Sequence, residues 1–90
     1  MVYIDAVHFD VYGVISKVKW TNSLYEKATK ECSKKQMIKF INENPNCTKT
    51  KYMVNGTWRE GEDVRVVDNE YLRTDANRIK ADNLGNLPEY

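Results

Sequence analysis

The chain has 90 residues, of which 41% are hydrophobic and 30% charged, and its net charge is +1. That composition describes one small folded domain spanning residues 1–90, not a disordered chain, and the near-neutral balance gives no general pull towards nucleic acid or anionic membranes. No apolar run approaches the roughly 20 residues that cross a bilayer as a helix, so no membrane association is expected.

The N-terminal segment MVYIDAVHFD carries acidic residues and no basic region ahead of an apolar stretch. It does not read as a secretory signal, and the expected location is cytoplasmic. From Val2 to Phe9 the Val, Ile, Tyr and Phe content predicts a first strand. Asp10 to Gly13 predicts a turn, and Val14 to Trp20 a second strand. Alternation along this second strand puts Val14, Ser16, Val18 and Trp20 on one face and Lys17 and Lys19 on the other, as in an antiparallel sheet with one face on a core. The turn between the two strands carries Val11 and Tyr12, an apolar pair where polar residues are usual, which marks a candidate contact surface.

Thr21 to Cys32 shows no periodicity and is expected to be a loop. Ser33 and Gln36 have the spacing of a capping box, which predicts a helix from Lys34 to Asn44 ended by Pro45. Met37, Ile38 and Ile41 form its apolar stripe with Phe40 at the edge, and these side chains are read as core. Thr48 to Val54 predicts a third strand, and Asn55-Gly56 is a strong signal for a two-residue hairpin turn. Thr57 and Trp58 begin the return strand. Arg59 to Asp63, with Gly61, reads as a loop or a bulge. Val64 to Val67 and Glu70 to Asp75 form a last hairpin around Asp68-Asn69.

The tail from Asp82 to Pro88, DNLGNLP, predicts a clasp. Asp82 and Asn83 suit a helix N-cap, Leu84 and Leu87 fall on one face of a single turn, and Arg73 is expected to pair with Asp82 or Asp75. The expected fold is therefore α+β: a small, mostly antiparallel sheet with one helix packed on one face, in the order β-β-α-β-β-β, closed by the C-terminal clasp.

These segments together resemble the bacterial and phage family called domain of unknown function 3892. The likeness rests on ISKVKW (Ile15 to Trp20), on the helix with Met37 and Ile41, on VRVVDNEYLRT (Val64 to Thr74) and on DNLGNLP. Asn77 departs from the family's pattern at a turn where glycine is common, and Val11-Tyr12 departs at a tip that is usually polar. The resemblance implies the fold and no activity.

Nothing in the sequence assembles an enzyme's site. His8 is the only histidine, and a general base needs a second group within hydrogen-bond reach. Cys32 and Cys47 are separated by a predicted helix about 16 Å long, too far apart for a disulfide, and lack metal-ligand spacing. The four glycines, Gly13, Gly56, Gly61 and Gly85, are scattered turn positions and make no phosphate loop. The expectation is a non-enzymatic protein without metal or cofactor that acts by binding a macromolecule. A protein partner comes first, reached through Val11, Tyr12 or Trp58, or by self-association at a sheet edge. The alternative is nucleic acid held on a lysine and aromatic face by Lys17, Lys19, Lys49, Lys51 and Tyr52.

Overall fold

The structure, a computed structural model, describes residues 1–74 and 82–90. Its elements in chain order are β1 (Val2–Phe9), β2 (Ile15–Thr21), β3 (Lys30–Ser33), α1 (Lys34–Glu43), β4 (Thr48–Val54), β5 (Thr57–Asp63), β6 (Arg65–Val67) and β7 (Tyr71–Arg73). Five strands form one sheet in the order β3-β2-β1-β4-β5, and β6 and β7 form a separate two-stranded sheet. Among the pairings of these seven strands, β1–β4 alone is parallel. The fold is α+β with a mostly antiparallel sheet, as the sequence predicts.

The local signals explain most of these elements. The Ser33 hydroxyl accepts from the Gln36 N–H at 3.0 Å, and Gln36 Oε1 accepts from the Ser33 N–H at 2.9 Å, so the capping box starts α1. The helix ends one residue earlier than expected, with Asn44 as its C-cap, donating its N–H to the Phe40 carbonyl. Asn55 and Gly56 have φ of 50° and 78°, the left-handed pair that a two-residue hairpin turn requires, and Asp68 and Asn69, both at φ 53°, carry the three-residue loop between Val67 and Tyr71. Met37, Ile38 and Ile41 are buried against Val2, Ile4, Val7, Ile15 and Val18 of the large sheet, with Val64, Leu72 and Leu84 closing the other side. Each such aliphatic side chain contributes about 1.5–3 kcal/mol when fully buried.

Four expectations are corrected. First, the segment expected to be a loop ends in a strand: β3 pairs with β2 through Trp20–Lys30, Lys19–Glu31, Val18–Cys32 and Lys17–Ser33. Its sequence, KECS, has little strand propensity; the open edge of β2 supplies the hydrogen bonds that make it one. Secondly, of the two readings of Arg59 to Asp63 the bulge holds and the loop does not: the segment continues β5 through a bulge opposite Thr50. Gly61 is required there, because a Cβ would collide with the Thr50 side chain.

Thirdly, β2 is phased differently from simple alternation. His8 faces Lys17 and Phe9 faces Ile15, so Ser16 bulges out. Ile15 thereby joins Val18 in the core, at 1% and 0% exposure, while Val14 remains 38% exposed. A bulge adds one residue and flips the strand's phase.

Fourthly, the tail is extended, with no helical turn. Asn83 pairs in parallel with Arg73, and Glu89 pairs in parallel with Val7. The bonds are Asn83 N–H to the Leu72 carbonyl at 2.8 Å, Val7 N–H to the Pro88 carbonyl at 2.9 Å and Tyr90 N–H to the Val7 carbonyl at 3.0 Å. Unpaired strand groups on β1 and β7 satisfy the tail's backbone better than an isolated turn can. Leu84 is buried and Leu87 packs against the core, so the clasp plugs the core with the expected side chains in a different conformation.

Asp82 is the clasp's fastener, with partners other than those expected. Its carboxylate accepts from the Leu72 N–H at 2.9 Å, the Ile15 N–H at 3.0 Å and Lys34 Nζ at 3.0 Å. Its cation is thus Lys34 of α1, and the backbone of Arg73 pairs with Asn83 of the tail. The expectations for Asp75 and Asn77 lie outside the described residues.

Candidate functional site

The β1–β2 tip is held rigidly. Asp10 Oδ1 accepts from the Tyr12 N–H at 2.8 Å and the Val14 N–H at 3.1 Å. The Asp10 N–H donates to the Val14 carbonyl at 2.8 Å, and the Gly13 N–H to the Asp10 carbonyl at 3.1 Å, with Gly13 at φ 74°. This is an aspartate-capped turn in which one carboxylate organises the loop. It leaves Val11 91% and Tyr12 86% exposed, projecting from a backbone with little freedom.

A second apolar group lies at the same end of the sheet. Because β4 runs parallel to β1, the Asn55-Gly56 turn and the Val11–Tyr12 turn point the same way. Tyr52, Met53 and Val54 are 46%, 52% and 40% exposed. Between the two hairpins the tail is inserted. β2 occupies one side of β1 along its length, β4 takes the other side at Val2 to Ile4, and Glu89 takes that side at Val7.

The sheet face away from α1 carries the lysines expected to bind nucleic acid, and they are engaged internally. Lys19 Nζ lies 4.6 Å from the centre of the Tyr90 ring and Lys17 Nζ 5.8 Å. Lys17 also pairs with Glu31 at 3.5 Å. Lys49 is near Glu60 and Asp63, and the Tyr3 hydroxyl donates to Glu60 at 2.9 Å.

Lys51 is fully buried. Its ammonium donates to the Ser23, Leu24 and Glu26 carbonyls and sits 4.1 Å from the centre of the Trp58 ring. Burial pushes its pKa down, and the carboxylates of Asp5 and Glu26 partly offset that. Lys51 therefore fastens the 22–29 loop over the sheet and is no surface residue, which corrects its expected place in a binding face. Trp58, expected on a contact surface, is half-buried as Lys51's ring partner.

Asp5 works on the same loop: its Oδ2 accepts from the buried Ala28 N–H at 2.8 Å. Neither Asp5 nor Lys51 stands out in sequence. The one available signal is that Asp5 follows Ile4 in a strand of buried apolar residues, where an acid needs a partner.

The reactive residue types are dispersed. His8 Nδ1 meets the Tyr90 carbonyl, and the two rings lie 5.6 Å apart. Cys32 and Cys47 are both free, and burial pushes the Cys32 thiol's pKa up. Among the described residues no three His, Cys, Asp or Glu side chains converge to hold a metal ion. No helix among them is long and apolar enough to cross a membrane.

A cavity of about 260 Å³ lies beside α1, lined by Val2, Trp20, Cys32, Gln36, Met37 and Phe40. Met37 and Phe40 were expected to be core; Met37 is buried, and both also border this opening.

No curated protein and no solved structure matches the chain. Residues 3–88 match the family described as Protein of unknown function (DUF3892), from the second residue of β1 to the proline that bonds Val7. With nearly its whole length matched, the chain belongs to the DUF3892 family.

Proposed function

We propose that this chain is a non-enzymatic, cytoplasmic binding module that takes a protein partner at the end of the sheet bearing Val11 and Tyr12. The observation that carries this reading is the rigid tip: two nearly fully exposed apolar side chains on a turn braced by Asp10. Ordering a mobile side chain on binding costs about 0.5–1.5 kcal/mol, and a pre-braced turn has already met part of that cost. Tyrosine is also enriched among the residues that dominate interface energies. Tyr52, Met53 and Val54 extend the apolar area at the same end.

The expected edge route to self-association has less support. β5 is bulged and rich in charge, and β3 has only 4 residues, both features that discourage strand pairing. Nucleic acid is likewise the weaker reading, since Lys51 is buried and Lys17 and Lys19 lie against Tyr90. The non-enzymatic reading is supported by His8 and Asp5 being used to hold the tail and the loop.

The paired substitution Val11→Asn and Tyr12→Asp tests the tip. Exposed turn substitutions change stability by only about 0.5 kcal/mol, so the melting temperature should hold. Proteins that co-purify with the wild type from its host should be lost from the variant. Identical co-purifying proteins for both would remove the tip from consideration.

A further inference from the structure

The cavity beside α1 has an apolar interior, and a cation lies against the ring of one of its walls. Val2, Met37 and Phe40 supply aliphatic, thioether and aromatic surface, and Trp20 forms a wall. Pairing between β2 and β3 sets Lys30 opposite Trp20 and Cys32 opposite Val18, so Lys30, Cys32 and Trp20 all lie on the helix face of the sheet. Lys30 Nζ sits 4.8 Å from the centre of the Trp20 ring. Alternation sends Glu31 to the opposite face, where it pairs with Lys17. Among the described residues, then, Lys30 has no carboxylate within ion-pair distance.

Gln36 also lines the cavity; its Oε1 accepts from the Ser33 N–H, and its amide nitrogen has two hydrogens to donate. The lining is otherwise apolar apart from the Cys32 thiol, and the nearby charge is the cation of Lys30 against Trp20. Pockets for small molecules span about 300–1,000 Å³, so about 260 Å³ suits a short ligand.

We infer that this cavity binds a medium-chain fatty acid, with the alkyl chain against Val2, Met37, Phe40 and Trp20 and the carboxylate at Lys30. An anionic head with an apolar tail is the ligand that satisfies both halves of the site. The adaptable Met37 side chain suits a flexible chain of methylenes.

The two cysteines provide the test. Cys32 lines the cavity, while Cys47 is exposed elsewhere and reports on reagent activity alone. The protein is alkylated with iodoacetamide in the presence of decanoate below its micelle concentration, with decanol as the uncharged comparison. Decanoate should slow Cys32 alkylation about tenfold and leave Cys47 unchanged, as a ligand filling the site displaces reagent. Lys30→Gln, at an exposed position, should weaken protection by decanoate about fivefold, the scale of a favourable exposed ion pair. It should leave protection by decanol unchanged. Unaltered Cys32 kinetics with decanoate would overturn the proposal. Equal protection by decanol and decanoate, insensitive to Lys30→Gln, would overturn the assignment of a carboxylate ligand.

Discussion

Asp82→Ala is expected to destabilise the protein by about 3–5 kcal/mol, the range for removing one partner of a buried ion pair. The Asp82 side chain is 3% exposed and that of Lys34 14%, so the lysine left behind has little water to turn to. The Ile15 and Leu72 N–H groups lose their acceptor at the same time. A buried donor without a partner costs about 1–3 kcal/mol. These three donors belong to α1, β2 and β7, so one carboxylate ties the helix to both sheets and sets the tail on its path to the Val7 edge. A domain of this size has roughly 5–15 kcal/mol in total, so the variant should approach the threshold of folding at 37 °C. Asp82→Asn keeps one acceptor oxygen and should cost less. Urea titration of both variants measures the effect; a loss below about 1 kcal/mol for Asp82→Ala would mean that the tail is not pinned at this point.

Lys51→Met is the second large expected effect, at about 2–4 kcal/mol. Methionine preserves most of the stem's volume and contact with Trp58 but has nothing to donate. The Ser23, Leu24 and Glu26 carbonyls then lose a shared donor, and Asp5 loses the positive charge beside it. The damage should be local first: residues 22–29 should become the earliest site of limited proteolysis, ahead of the sheet. Burial holds the Lys51 pKa below its ordinary 10.5, so the folded state binds fewer protons at this site than the unfolded state. Stability from this group therefore rises as pH climbs from the folded value towards 10.5 and is lost as pH falls through the folded value. The gap between wild type and Lys51→Met should widen accordingly in alkaline urea titrations. A variant as stable as wild type, with an unaltered cleavage pattern, would show that water satisfies those carbonyls.

What the sequence reveals here is what short-range chemistry decides. Ser33 and Gln36 define a helix start because both capping bonds close within one turn. Asn55-Gly56 and Asp68-Asn69 define hairpins because left-handed backbone is available to them at small cost. The Met37, Ile38 and Ile41 stripe follows from helical spacing alone. The features that stayed hidden depend on partners far along the chain. KECS becomes a strand because β2 has an edge to fill, and the Ser16 bulge depends on the register with β1. The tail reads as a helical turn until the open groups of Val7 and Leu72 are in place to hold it extended.

The candidate site divides in the same way. Val11 and Tyr12 are visible in sequence because an apolar pair between Asp10 and Gly13 violates turn chemistry. Lys51 looks like half of a basic pair with Lys49 on a regular strand. Its burial follows from a loop that crosses the sheet about 25 residues away in sequence, for which no local pattern exists.

The claim that the chain acts through its rigid apolar tip is tested most directly by site-specific crosslinking. A benzophenone amino acid is placed at Tyr12 and, in a matched protein, at Tyr25, which is comparably exposed at 78% but lies in the 22–29 loop that Lys51 fastens. Irradiation in the host extract should give a discrete adduct with another protein from position 12 and none from position 25. An adduct from position 25 alone, or none from position 12, would contradict the account.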